Sequence, residues 1–430
     1  MGVYQPGKRL ERPVAYRSRI VDAELAARLE ATGAVLIEGP RGCGKTETAR
    51  RAAQSEVRLD VDDEARAAGL VAPAVLLEGD CPRLIDEWQL VPAVWNHIRR
   101  RVDDHPDQTG RFILTGSAVP ADDATRHSGS LRFTRLRMRP MSLSETGHST
   151  GQVSLASLFD GGEPHAGDPG LTIRDLAERV AIGGWPGLLG RTPDQSLIAL
   201  RGYLEETCRV DLGRSDGVRR DPENVGRVLR SLARNVATAA SARSIAADVG
   251  GADGRVDHHT VLDYIAALTR LFVVEDLPAW SPALRSRSIL RTAATRHFVD
   301  PSLAVAALDA RPERLLRDVR TLGLLFESLV VRDLRVYAQA LDATVLHYRD
   351  NTGLEADAVV QRRGGEWAAF EVKLGQAAID EAAANLLQLA DRVDAATQGK
   401  PSALAVISGW GYAYRRPDGV DVIPIGTLAA

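Results

Sequence analysis

Residues 39–46, "GPRGCGKT", constrain this chain more than any other stretch. They fit G-x-x-x-x-G-K-[ST] and lie between a short apolar run, "AVLIEG", that reads as a buried strand and a helical pattern beginning near Glu47. Glycines at this spacing let backbone N–H groups turn inward onto phosphate oxygens, and the following helix adds its positive N-terminal end. The pattern assigns Gly39, Pro40, Arg41, Gly42, Cys43, Gly44, Lys45 and Thr46 to a nucleotide's phosphates. Lys45 would reach the outer phosphates and the Thr46 hydroxyl would take Mg²⁺. ATP and Mg²⁺ are the expected ligands.

Two further apolar runs end on polar residues, as strands beside a phosphate loop should. "RLIDEWQ" places Asp86 to hold Mg²⁺ through water and Glu87 to orient the water that attacks the outer phosphate. "RFILTGSA" ends in Thr115 and Ser117, read either as polar sensors of the terminal phosphate or as ordinary strand-end caps. Alternation of helical and strand patterns over this third of the chain predicts an α/β domain with a mostly parallel sheet.

At 430 residues the chain exceeds one ordinary core. The division expected is an ATPase domain over 1–190, a helical, winged-helix-like domain over 191–285 and a third domain over 286–430. Residues 147–170 are rich in Gly, Ser, Pro and Asp and read as an exposed connection or insertion. The net charge of -3 gives no global attraction to nucleic acid or anionic membrane, so any such contact must come from a local patch. Cys43, Cys81 and Cys208 lack metal-knuckle spacing and read as free thiols in a reducing compartment. No apolar segment approaches membrane-spanning length and the N-terminus lacks a signal-peptide pattern, so a cytoplasmic protein is expected.

Residues 241–280 read as a short helix, a glycine turn, a longer helix and a strand pair, an order that suits a winged helix-turn-helix. Leu262, Ile265 and Leu268 are expected in its core. His258, His259 and Thr260 would face outward, but Asp257 and Asp263 beside them would repel phosphates, so a packing module and a base reader both remain open. Upstream, Arg227, Arg230 and Arg234 share a helical face and are candidates for tracking a nucleic-acid backbone.

Of 54 basic residues only Lys8, Lys45, Lys373 and Lys400 are lysines, so each asks for a local reason. Lys373 stands in "FEVKL", within a meander of strand patterns joined by "NTG" and "RRGG" and followed by a helix over about 378–393. Antiparallel pairing around "RRGG" brings Asp357 near Glu371, and alternation puts Glu371 and Lys373 on one face. This is the D…E-x-K pattern of the PD-(D/E)xK nuclease-like fold, and "GLLFESLVVRDL" supplies Glu327 where that fold often carries another acid. Asp357, Glu371 and Glu327 would hold Mg²⁺, and Lys373 would stabilise a metal-bound hydroxide or the charge of the transition state. The same E-x-K on a strand is also an ordinary ion-pairing pattern.

Together "GPRGCGKT", "LIDEWQ", "LTGSA", residues 124–145 and "GGWPG" (183–187) resemble the prokaryotic AAA-type ATPases whose C-terminal half is a domain of unknown function. The resemblance implies an arginine finger, Arg132 or alternatively Arg126, completing a neighbouring subunit's site in a homo-oligomer. Members of that family usually carry a small residue before the arginine, where this chain has Leu131. The function expected is an ATP-hydrolysing protein that couples nucleotide state to DNA, with a nuclease-like C-terminal domain. The alternative is a regulatory ATPase whose last domain is an inert scaffold for a protein partner.

Overall fold

Strand β1 (Ala34–Glu38) is buried along nearly its whole length, because it is an interior strand of a parallel sheet covered on both faces. It is joined by β2 (Ser55–Arg58), β3 (Arg83–Asp86), β4 (Phe112–Gly116) and β5 (Phe133–Arg137) in the order β2-β3-β4-β1-β5, every pair parallel. Ile85, Leu114 and Leu36 feed one core cluster, while their alternates Leu84, Ile113, Val35 and Ile37 feed another. This computed structural model describes residues 16–116, 129–213, 218, 220–250, 256–282 and 293–430. Ser117 and Arg126 lie outside the described residues.

The chain divides into two compact units. One holds the parallel sheet, in residues up to Arg139 together with Arg270–Phe272; the other holds Pro140–Gly213, Val218–Thr269 and Val273–Ala430.

Within the second unit, residues 147–170 are not the exposed connection expected from their composition. They contain β6 (Val153–Ser154) and a helix, Leu155–Phe159, with Val153, Leu155 and Leu158 buried. The glycines mark turns, but the apolar residues between them find a core.

The middle segment has the two expected helices, Ala242–Gly250 and His258–Arg270, but its strand pair is not confined to residues 241–280: β7 (Val274–Leu277) pairs antiparallel with the later β8 (Thr295–Phe298), and the glycine turn lies largely outside the described residues. Ile265 and Leu268 are buried, but Leu262 is 44% exposed. A three-residue step falls short of a helical turn by about 60° each time, so three such positions drift off one face. The buried stripe is Val261, Tyr264, Ile265 and Leu268 instead.

The C-terminal sheet contains β9 (Ala343–Arg349), β10 (Glu355–Arg362), β11 (Trp367–Lys373), β12 (Ala403–Ser408), β13 (Tyr414–Arg415) and β14 (Asp421–Pro424), in the order β13-β14-β12-β11-β10-β9. A last strand, β15 (Leu428–Ala429), pairs with β6. The first three strands form the antiparallel meander, and β11, β12 and β14 run parallel. Helix Ile379–Arg392 lies on this sheet, burying Ala382, Leu386 and Leu389 with Trp367, Ala369 and Val406. The long helix Val319–Ala340 also packs on β9, β10 and β11.

Candidate functional site

The strand order brings the ends of β3, β4 and β1 side by side, and the phosphate loop leaves the sheet from β1. Gly42 and Gly44 have φ of 80° and 103°, left-handed values that let the loop curl, and Gly44 starts the helix Lys45–Ala52. Gly39 cannot carry a side chain, since a Cβ there would penetrate the carbonyl of Met138. Cys43 is fully buried beneath the loop, and its carbonyl accepts from Arg19 at 2.9 Å.

Lys45 is buried, its Nζ donating to the carbonyls of Gly39 and Pro40 at 2.9 Å each. The Thr46 hydroxyl donates to Asp86 Oδ1 at 3.0 Å, and Thr115, opposite Asp86 in register, donates to the same oxygen. A hydroxyl and a buried carboxylate in contact at the mouth of a phosphate loop are hard oxygen donors that fit Mg²⁺. Three residues far apart in sequence therefore meet at one carboxylate oxygen. Glu87 follows in a left-handed conformation, φ 53°, with its carboxylate held by the Gln89 amide. Arg132 donates to Asp103 at 2.6 Å and to the Ser130 carbonyl at 3.0 Å, so it is engaged within its own chain.

Gln89 escaped sequence reasoning, although its place two residues after Glu87 was a local signal. Arg58, 4.0 Å from Asp86, escaped too, because only the sheet order brings β2 beside β3.

The second cluster sits on the C-terminal sheet. Ala358 pairs with Phe370, so Asp357 falls beside Glu371, and Asp357 accepts from the Val372 amide at 2.7 Å. Lys373 Nζ is 2.6 Å from Glu371 and 3.7 Å from Asp357. Glu371 is 3% exposed; burial, reinforced by Asp357 and opposed by Lys373, pushes its carboxyl up to about 8. Glu327 on the long helix is held well above the usual carboxylate range, chiefly by burial and then by Asp357. Burial works against the Lys373 ammonium, but Asp357 and Glu371 outweigh it and hold its pKa above the ordinary value. Three acids thus act on one another with a single lysine to balance them. The adjacent carboxylates of Asp357 and Glu371 are oxygen donors of the kind a divalent cation takes, but the oxygens of all three acids are not gathered within 4.8 Å of one another.

Lys373 lines two cavities, one of about 430 Å³ with Asp357, Glu371, Asn385, Gln388 and Arg392, the other of about 360 Å³ with Glu327, Val319 and Leu324. Asn385, Gln388 and Arg392 went unread, although their spacing of three and four residues marks one polar stripe of the helix Ile379–Arg392.

The suggested nucleic-acid face of the middle segment is partly occupied. Arg227 pairs with Glu223 at 2.8 Å, Arg234 pairs with Asp248, and Asp263 is engaged by Arg220 at 2.8 Å. Asp257 accepts from His258 Nδ1 at 3.1 Å and from the His259 amide at 3.0 Å. Among the described residues no helix is long and apolar enough to cross a membrane.

No curated protein matches the chain. Two domains of unknown function match residues 173–314 (DUF8612) and 322–428 (DUF4143). Among solved structures, a Walker-type ATPase of Pyrococcus abyssi is similar at 13% identity and a TM-score of 0.43, over 66% of this chain and 94% of that one. The replication initiator DnaA, bound to AMPPCP and single-stranded DNA, is similar at 14% identity and a TM-score of 0.24, over 58% and 86%. Likenesses this distant carry no argument about activity. The sequence match that does bear on the phosphate loop is to an AAA domain over residues 31–147, so this part of the chain is similar to AAA-type ATPase domains.

Proposed function

We propose that the chain binds ATP with Mg²⁺ at residues 39–46 and hydrolyses it. The observation that carries this reading is the convergence of Thr46 and Thr115 on Asp86 beside the buried Lys45. Mg²⁺, held by Thr46 and Asp86, would neutralise charge on the outer phosphates. Lys45 would exchange its two carbonyl partners for phosphate oxygens. Glu87 would accept the proton of the attacking water once its carboxylate leaves Gln89. Thr115, with Ser117, would sense the terminal phosphate, and Arg132, or Arg126, would reach a neighbouring subunit's nucleotide in a homo-oligomer.

Phosphate release with ATP and Mg²⁺ tests the reading directly. Lys45→Ala should abolish nucleotide binding, whereas Glu87→Gln should bind ATP and turn over at least tens-fold more slowly. Equal turnover by wild type and Glu87→Gln would remove Glu87 from its role. Arg132→Ala should lower turnover, and turnover per chain should rise with protein concentration if a neighbour completes the site.

The C-terminal cluster supports a metal-dependent phosphodiesterase site on a PD-(D/E)xK-like fold, with DNA as the substrate class. Asp357, Glu371 and Glu327 would hold the metal, and Lys373 would stabilise developing negative charge. A three-part chain, with a winged-helix-like middle, remains our reading of its organisation. The competing reading, an ATPase switch with an inert partner-binding scaffold, is favoured by the ion pairs of Lys373 to Glu371 and Asp357, which already neutralise part of the site. Incubation with Mn²⁺ and single-stranded, duplex or branched DNA separates them. Cleavage lost in Lys373→Ala supports the nuclease, and DNA that neither is cut nor stimulates ATP turnover supports the scaffold.

A further inference from the structure

The second unit holds a cavity that neither candidate site uses. It measures about 270 Å³ and is lined by Met141, Thr146, His148, Arg179, Arg191 and Arg332, among others, but by no carboxylate residue. The "GGWPG" motif supplies part of the wall. Gly183 and Gly190 both have φ of 75° and turn the chain on either side of the short helix Pro186–Leu188.

The three arginines differ in how their charge is met. Arg332 is buried and already paired with Asp300 at 2.8 Å and Asp333 at 2.6 Å, so it contributes wall and not free charge. Those acids are further engaged by the amides of Gly184 and Leu143. Arg179 is half-buried with weak compensation. Its Nη1 stands 2.9 Å from His148 Nε2, which can only accept there as a neutral ring, and Glu178 is 3.8 Å away. Burial lowers the Arg179 guanidinium below its ordinary pKa despite Glu178 and Asp175. Arg191 is exposed and forms no side-chain hydrogen bond or ion pair with any described residue.

A concave wall with two incompletely matched guanidinium groups and no carboxylate on its surface is built for an oxyanion, since such groups bind phosphoryl oxygens through paired, charge-assisted N–H bonds. We propose that this cavity binds a phosphoryl group on a small ligand, gripped between Arg179 and Arg191. Its volume falls just below the roughly 300–1,000 Å³ of ordinary small-molecule pockets, which leaves room for the phosphoryl group and a few further atoms.

The test uses the full chain carrying Lys45→Ala, so that the phosphate loop does not contribute. Inorganic phosphate and glycerol 3-phosphate are titrated by calorimetry at fixed ionic strength, with sodium chloride as the control. Saturable one-to-one binding is expected. It should weaken tenfold or more in Arg191→Ala and in Arg179→Gln, recover in part in Arg191→Lys, and stay unchanged in Arg243→Ala, an exposed arginine on helix Ala242–Gly250. Arg191 is exposed, so its replacement should leave the melting temperature alone and the loss can be read as loss of the site. Tighter binding of the ester than of phosphate identifies an organic phosphate as the ligand class, and the reverse identifies the free ion. Saturable binding absent for both probes, or equal in Arg191→Ala and its parent, overturns the proposal.

Discussion

At Glu87 the residue proposed for chemistry pays a local conformational cost. Its φ of 53° is left-handed, a region that costs an L-residue about 1–2 kcal/mol. Leu131, at φ 67° and 91% exposed, carries the same cost next to Arg132, where the resembling family usually has a small residue. Glu87→Gly should therefore raise thermal stability, by about 1 kcal/mol after the flexibility of glycine is deducted, while eliminating ATP turnover. Leu131→Gly should stabilise similarly without touching the phosphate loop. Calorimetric melting beside a phosphate-release assay checks both, and a lower melting temperature in either variant would show that its neighbours favour the left-handed form. What the sequence discloses at this scale is local. Asp86 and Glu87 are legible because they end an apolar run, and Lys45 because of its loop. The bonds from Thr115 to Asp86 and from Arg132 to Asp103 are not, since they depend on which strands and helices become neighbours.

Elements built on a short period were the most legible. The turn at "RRGG" and the two-residue alternation placed Asp357 beside Glu371, whereas the composition of residues 147–170 hid a strand that pairs with β15. The glycines of "GGWPG" also differ in ways composition cannot express. A Cβ at Gly184 would penetrate the carbonyl of Met141, whose amide donates to the Gly184 carbonyl at 2.6 Å, while a Cβ at Gly187 would meet nothing within 4 Å. Gly184→Ala should thus destabilise the second unit by about 3 kcal/mol, and Gly187→Ala should lie within about 0.5 kcal/mol of wild type, as urea unfolding would measure.

On β8, His297 is buried against the long helix, its Nδ1 3.2 Å from the Ser328 hydroxyl. Burial pushes its pKa well below the usual histidine value; Arg335 and His347 add to this, and Glu275 opposes it. An unfolded chain takes up this proton near pH 6.5 and the folded one does not, so stability falls as pH drops below that value. Compared at each pH, wild type should lose ground to His297→Gln from pH 7 to pH 5, at a slope approaching about 1.4 kcal/mol per pH unit. Parallel melting curves across that range would contradict it.

For the whole molecule, the phosphate loop and the Asp357–Glu371–Lys373 cluster lie in different compact units, each with its own core. Ligand binding at one should survive loss of the other. Lys45→Ala should abolish binding of a fluorescent ATP analogue and leave Mn²⁺ affinity at the C-terminal cluster within about twofold. Glu371→Ala should do the reverse, weakening Mn²⁺ at least tenfold. Titrations of both variants with both ligands decide it. The separation into two sheets was legible from the change of pattern along the chain. That residues 140–190 fold with the second unit was not, because their partners lie far downstream.

The buried ties of the second unit set an order of events on the ribosome. The Leu143 amide meets Asp333 across 190 residues, the Trp185 indole meets Ser302 across 117, and the Gly184 amide meets Asp300 across 116. The parallel sheet closes with Arg137, but these bonds have no partners until Asp300 and Ser302 and, last, Asp333 on the long helix have been made. At about 5–20 residues per second the wait from Leu143 to Asp333 lasts roughly 10–40 s. For much of that interval the apolar face of Ile173–Ile182, with Leu176 and Val180 that will be fully buried, lacks its downstream partners in helices Pro301–Ala307, Pro312–Arg317 and Val319–Ala340. Helix Ile173–Ile182 is therefore where a chaperone would have most reason to hold the growing protein, and where a pause in translation before Asp300 would do most harm.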